Sequence, residues 1–239
     1  MCAIFSSVAT AKEAGAGRSY HQYCGVARAL DVVGERWTLL IIRDLLLGPR
    51  RYKDLLEGLP GIGTNLLADR LRELEKRGII RRTVLPPPAG STVYELTDLG
   101  AALGPAVIEL GVWGARMLGT PAQDDHVPTA AIFVAMRAMF KPAKAAGVDE
   151  SYELHVDGHV FEVRVADQQV LTREGFAHAP VATFTVDGRT LLALLREGLH
   201  PRKALAEGRV QLTGDRQTFE RFVGLFAKSP DAAGALAPG

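Results

Sequence analysis

The stretch from Gly61 to Arg82, GIGTNLLADRLRELEKRGIIRR, leaves few folds open. Leu67, Leu71 and Leu74 recur at steps of four and three, which places them on one helical face. Gly63, Thr64 and Asn65 make the front of that helix small and polar, while Arg70, Arg72, Lys76, Arg77, Arg81 and Arg82 crowd its rear. Thr64 or Asn65 is expected to cap it, because a short polar side chain accepts from free first-turn N–H groups. Arg77-Gly78 reads as its C-terminal stop. Such a helix either has an ordinary solvated face, laced by pairs such as Glu73 with Arg77, or lies against something acidic.

The flanking segments favour the second reading. Val26, Leu30 and Val33 mark a helix over about 24–33, and a second helix over about 36–47 stops at Gly48-Pro49. RYKDLLEGL is a short helix that ends before Pro60-Gly61. After the basic helix, IIRRTVL and TVYELT are strands joined by PPPAGS, a hairpin loop. A long apolar helix at about 98–118 follows, with Gly104-Pro105 as its kink or its start. This order is a winged helix-turn-helix, whose second reading helix enters the major groove with its N-terminal residues at base edges.

Charge agrees once it is read locally. The chain's net charge is only +1, yet residues 43–82 hold 10 basic against 6 acidic side chains. That excess is the electrostatic footprint of phosphate contact. Two cysteines, Cys2 and Cys24, supply neither a disulfide framework nor a C-x-x-C zinc pair, which suits a reducing, cytoplasmic setting. The N-terminus lacks the basic start and apolar core of a signal peptide, and no apolar run is long enough to span a membrane.

Cys24, the GERW segment at Gly34–Trp37, GPRRYKDL, LPGI, RLRELEKRG and VYELTDLG stand in one order at tight spacing over about 24–118. In these marks the chain resembles the HxlR-type family of winged-helix transcription regulators. The resemblance implies a homodimer on double-stranded DNA carrying a short palindromic operator. It also implies dimer contacts from terminal helices, here the helix near Tyr20–Leu30 and the one holding Val112, Trp113 and Met117.

Thr64 and Asn65 are the expected base-edge contacts, with a pure capping role as the alternative. Arg72 and Lys76 share a stripe with Asn65 and Asp69, away from the leucines, and are expected at phosphate or bases. Arg70 is a further DNA candidate, or else pairs with Asp69 or Asp98. Arg82, with Ser91 and Thr92 at the wing tip, is expected at the minor groove or phosphate. Arg50 and Tyr52 precede the short helix, where members of the resembled family often touch the backbone. Trp37 reads as core. Cys24 is a candidate redox sensor if Arg28 and His21 lower its thiol pKa; Tyr23 and Val26 instead suggest packing against a dimer partner.

The second half has a different pattern. PAQDDHVPT, 121–129, is a short linker, and AAIFVAMRAMFKPAKAAG a helix with Ile132, Met136, Met139 and Phe140 inward. Tyr152, Leu154, Val156, Phe161, Val163 and Val165 alternate with polar residues around an Asp157-Gly158 turn. A further strand holds Val181 to Val186, then come a helix ended by Gly198, a short helix, a strand at Val210–Thr213 and a C-terminal helix bearing Phe219, Phe222, Leu225 and Phe226. The segments YELHVDGHVFEVRV, PVATFTVDG and ALAEGRVQLTGDRQTFERFVGLF, with Ala204, Gly208, Gly214 and Asp215, resemble the sterol carrier protein type 2 superfamily over about 130–226. That resemblance implies a five-stranded sheet with helices around an apolar tunnel for a lipid-like ligand.

The fold expected is therefore α+β. Residues 1–19 form a tail, 20–120 a winged helix-turn-helix domain, 121–129 a linker, 130–228 a sterol-carrier-like domain and 229–239 a second tail. Phe133, Met136, Phe140, Phe161, Phe222 and Phe226 are the candidate pocket residues; the alternative is that they fill a core. Arg137, His155, His159 and His178 are weaker candidates for a ligand's polar head. His155 and His159 are expected on one side of a strand, too close to the turn to suggest a metal site. No Ser-His-Asp pattern, phosphate loop or metal cluster is present, so no catalytic residue and no cofactor are expected. The function expected is a ligand-modulated transcription regulator. The alternatives are a redox regulator acting through Cys24 and a lipid-binding protein that its winged helix merely dimerises.

Overall fold

The computed structural model describes residues 19–86, 90–119 and 126–226. Residues 1–18, 87–89 of the wing loop, 120–125 and 227–239 lie outside them, and with them most of the expected N-terminal tail, all of the expected C-terminal tail and residues 121–125 of the expected linker.

The first lobe begins with α1 (Gly25–Val33), α2 (Thr38–Leu45), α3 (Tyr52–Gly58) and α4 (Thr64–Lys76). Strands β1 (Ile80–Val84) and β2 (Thr92–Leu96) form the wing, pairing antiparallel with Ile80 opposite Leu96. The long helix expected at 98–118 is divided. Helix α5 (Asp98–Ala101) stops, α6 (Gly104–Gly114) restarts with Pro105 in its first turn, and a 3-10 turn covers Ala115–Met117. The break follows from proline's preference for the first helical turn, where its missing N–H costs nothing.

Leu67, Leu71 and Leu74 are buried against Ile41, Ile42, Leu45 and Leu55, so α4 is anchored by the face its spacing marks. Leu71→Ala removes a side chain at 1% exposure and is expected to cost about 2–5 kcal/mol of stability, read as a lowered midpoint in denaturant. The turn between α3 and α4 depends on Gly61, whose φ of +91° suits glycine, and the Trp37 ring packs beside it. The wing base is pinned by Gly100. A Cβ there would stand 2.1 Å from the Ile79 carbonyl, and the Thr97 side chain caps α5 by accepting from the Gly100 N–H.

The second lobe opens with α7 (Thr129–Met139), shorter than the helix expected to run on to Gly147: Phe140 is extended and a separate 3-10 turn covers Pro142–Ala145, since a proline disfavours helix at the residue before it. It continues through β3 (Glu150–Val156), β4 (His159–Ala166), β5 (Gln169–Glu174) and β6 (Ala182–Val186). Helix α8 (Gly188–Leu192) runs on as a π-helical turn, followed by α9 (Pro201–Ala206), β7 (Val210–Thr213) and α10 (Arg216–Phe226). The sheet order is β5-β4-β3-β6-β7, with β3 and β6 parallel and the other pairs antiparallel. Tyr152, Leu154 and Val156 face Val163, Phe161 and His159 across the hairpin, and all but His159 are buried.

The lobes touch through α6 on α7 and α2 on α7. Leu47, from the loop after α2, is buried within the second lobe's core. That loop also lies on β5, the sheet's edge: the Glu174 N–H donates to the Leu47 carbonyl at 2.8 Å. The Arg137 guanidinium donates to the Leu46 carbonyl at 3.0 Å and to Thr172. An edge strand with open backbone groups is thereby covered by the first lobe.

Candidate nucleic-acid interface

The outer face of α4 carries Thr64, Asn65, Asp69, Arg72 and Lys76, all exposed. Thr64 and Asn65 are not caps. Gly63 occupies the N-cap and makes no side-chain cap bond, so both polar residues lie within the first turn. The N-terminus of a 13-residue helix thus presents unsatisfied N–H groups and its positive dipole end beside Asn65. At the other end, Arg77 closes the helix as its C-cap and pairs with Glu73 at 2.6 Å, the intrahelical pair expected from spacing.

Several candidates have local partners. Arg72 reaches Asp69 at 2.6 Å, but its side chain stays 72% exposed, where such a pair is weak and a phosphate can compete. Arg70 pairs with neither Asp69 nor Asp98. It donates to Glu35 at 2.9 Å and to the Arg36 carbonyl, tying α4 to the start of α2. The Tyr52 hydroxyl donates to the Thr64 carbonyl at 2.6 Å, so it fixes the angle between α3 and α4. On the wing, the Arg82 guanidinium lies 5.8 Å from the Tyr94 ring centre, and Arg82 and Thr92 are exposed. Ser91 is half-buried at the end of the loop. Hydrogen bonds from Thr83 and Arg81 hold the Glu95 carboxyl below the usual range.

Arg50 departs most from expectation. It is 7% exposed and turned inward, its backbone paired with Tyr94 of the wing and its guanidinium with Glu174 on β5. It is a joint between lobes in this arrangement, not a backbone contact on the DNA face. Glu174 also meets His159 Nδ1 at 3.0 Å, and Asp44 lies near, its carboxyl pushed up by burial against the pull of Arg43. Nothing in the local sequence pairs Arg50 with a glutamate so distant in the chain. Glu174→Ala would leave a buried guanidinium unpaired, and a loss of about 3–5 kcal/mol is expected in thermal or denaturant unfolding.

Several exposed large apolar side chains lie apart from these groups. Val112, Trp113 (57% exposed), Met117 and Leu118 lie on and just beyond α6, and Val26 and Leu30 are exposed on α1. Cys24 is the exposed N-cap of α1, while Arg28, its expected activator, lies 3.8 Å from Asp31.

The six aromatic and methionine pocket candidates form packed core in this structure. Phe133 stacks on Phe161 at 3.9 Å, Phe222 meets Phe226 at 5.3 Å, and Phe140 tilts against Phe226 at 5.7 Å. Met136 is fully buried, and only Phe140 among the six is half-exposed. His155 and His159 do not share a side. His155 stands opposite Val160 and His159 opposite Val156, so they point to opposite faces of the hairpin, each beside a glutamate. Two clefts of about 470 and 480 Å³ lie between the lobes.

Two family models match: HxlR-like helix-turn-helix over residues 32–121 and the SCP-2 sterol transfer family over residues 136–227. The HTH-type transcriptional regulator YodB of Bacillus subtilis (strain 168) is 41% identical across 36% of this chain and 76% of its own length. YvaP of the same organism, named an uncharacterized HTH-type transcriptional regulator, is 35% identical across 38% of this chain and 84% of its own length. Among solved structures, the redox regulator HypR in its oxidized form shares 31% identity with a TM-score of 0.38, covering 41% of this chain and 100% of that one.

Proposed function

Because the chain belongs to the HxlR-like helix-turn-helix family of transcriptional regulators and carries an SCP-2 segment behind its reading head, we propose a ligand-modulated, homodimeric, sequence-specific regulator. The observation that carries this reading is the outer face of α4, with Asn65 beside an uncapped N-terminus and Arg72 and Lys76 along the body. Asn65 and Thr64 read base edges, and Arg72 and Lys76 meet phosphate, with Arg82, Ser91 and Thr92 following the adjacent backbone. Arg70 and Tyr52 hold α4 at its docking angle.

Val112, Trp113 and Met117 cover the same residues of a second copy, which sets two heads on a palindrome. The SCP-2 segment responds to a small apolar molecule. Its contacts with the loop after α2 give ligand binding a route to the reading head, since a ligand shifts an equilibrium by its differential affinity for two arrangements. A gel shift on the DNA upstream of the chain's own gene, with and without apolar extract, tests this; an extract that leaves binding unchanged removes the ligand role.

Cys24 supports a second reading because its thiol is exposed at the N-terminus of α1. Under that reading, oxidant weakens the gel shift and Cys24→Ser abolishes the response.

A further inference from the structure

Arg50 meets the wing and the second lobe at once. Its N–H donates to the Tyr94 carbonyl at 2.9 Å and its carbonyl accepts from the Tyr94 N–H at 2.7 Å, so it lies along β2 as an antiparallel bridge. On the other side of β2, Tyr94 stands opposite Arg82 of β1, and the Arg82 guanidinium lies 5.8 Å from the Tyr94 ring centre. Across the lobe boundary, the buried Arg50 guanidinium is paired with Glu174, whose own N–H donates to the Leu47 carbonyl at 2.8 Å. A line of contacts therefore runs from Arg82, an exposed cation on the wing, through Tyr94 and Arg50 to Glu174 on the edge strand of the second lobe.

The segment that carries Arg50 is gripped by the second lobe at several points. Leu47 is buried in that lobe's core, the Leu46 carbonyl accepts from Arg137 at 3.0 Å, and Arg50 is held by Glu174. Its place thus follows β5, and two backbone hydrogen bonds pass that place on to β2. Helix α4 is anchored otherwise. Leu67, Leu71 and Leu74 lie in a buried cluster drawn from first-lobe residues alone.

We infer that the second lobe sets DNA affinity through the wing, with Arg50 as the positioning residue that seats Arg82 at the DNA backbone while α4 keeps its base preference. The inference rests on the regulator reading above and names the element of the reading head that the second lobe controls. Arg50 acts through Tyr94 and touches no DNA itself. A change at β5 alters the phosphate contact, which every sequence offers alike, so it scales all affinities together.

A double-mutant cycle on the full chain tests this, read by fluorescence anisotropy on the upstream duplex and on a scrambled duplex of equal length. Arg82→Ala should weaken binding to the scrambled duplex about tenfold in the wild-type background. Its effect should fall below about threefold where Glu174→Gln has removed the charge that holds Arg50. Glu174→Gln alone should weaken binding to both duplexes by one factor, leaving their ratio unchanged. Glu174→Asp, which keeps the charge but shortens its reach, takes its place if Glu174→Gln does not fold. Amide exchange in the wild type gives a second readout: the Tyr94, Arg50 and Glu174 N–H groups should open as one unit, with one dependence on denaturant. An Arg82→Ala effect that is equal in both backgrounds or absent from the wild type, a changed duplex ratio, or a Tyr94 amide that opens independently of Glu174 overturns the inference. Equal wild-type affinity for the two duplexes removes the regulator reading instead, and the cycle on the scrambled duplex still decides whether β5 seats the wing.

Discussion

Trp113→Asp is expected to turn the proposed dimer into monomers in sedimentation and to lower operator affinity by about 10²–10⁴, the advantage that a second tethered head confers. Trp113 is 57% exposed on α6, and Val112, Met117 and Leu118, close to it in the chain, are exposed as well. Large apolar side chains exposed close together mark a candidate interaction site. Aspartate in its centre would be buried without a partner, at a cost that a modest two-fold interface cannot absorb. The variant's own fold should survive, because Trp113 lies outside both buried clusters. A dimer that persists would move the interface to α1 or to the second lobe.

The second large effect divides affinity from specificity on α4. Replacing both Arg72 and Lys76 by Ala should weaken binding to every DNA sequence. The fall of log K with log salt should flatten by about 1 for each phosphate that a head no longer neutralises. Asn65→Ala should act differently. It should leave non-specific binding near its wild-type level and reduce discrimination at one base pair of each half-site by about 1–3 kcal/mol. The three side chains share the helix's exposed face, so the contrast arises from their chemistry: two cations suited to phosphate, and one amide able to match a base edge. An Asn65→Ala variant with an unchanged preferred sequence would remove Asn65 from the base-reading set.

The elements of both lobes are legible in the sequence because each has a strong period or punctuation. Leucines at four- and three-residue steps mark α4, alternation marks β3 and β4, and Asp157-Gly158 marks their turn. The split at Gly104-Pro105 is only half legible, since proline permits either a kink or a start and packing decides between them. The N-cap at Gly63, one residue before Thr64, has a similar cause. Glycine and short polar residues all occur at that position with small differences in preference, so local sequence alone does not decide among Gly63, Thr64 and Asn65.

Contacts between lobes are not legible. Arg50 and Glu174 belong to segments with unrelated patterns, and only the docking of the loop after α2 on the edge of the sheet brings them together. The aromatic residues raise a different difficulty. A tunnel lining and a packed core call for the same apolar side chains at the same spacing, and the stacking of Phe133 on Phe161 resolves the two only in three dimensions.

In the proposed function, α4 of a dimeric head reads sequence. Fluorescence anisotropy of the labelled DNA upstream of the chain's own gene, against a scrambled duplex of equal length and composition at the same salt, tests it most directly. Binding to the upstream duplex is expected to be tighter by at least about 10³, with a palindromic protected segment whose half-site centres lie one helical turn apart or a multiple of it. Equal affinity for the two duplexes would contradict it.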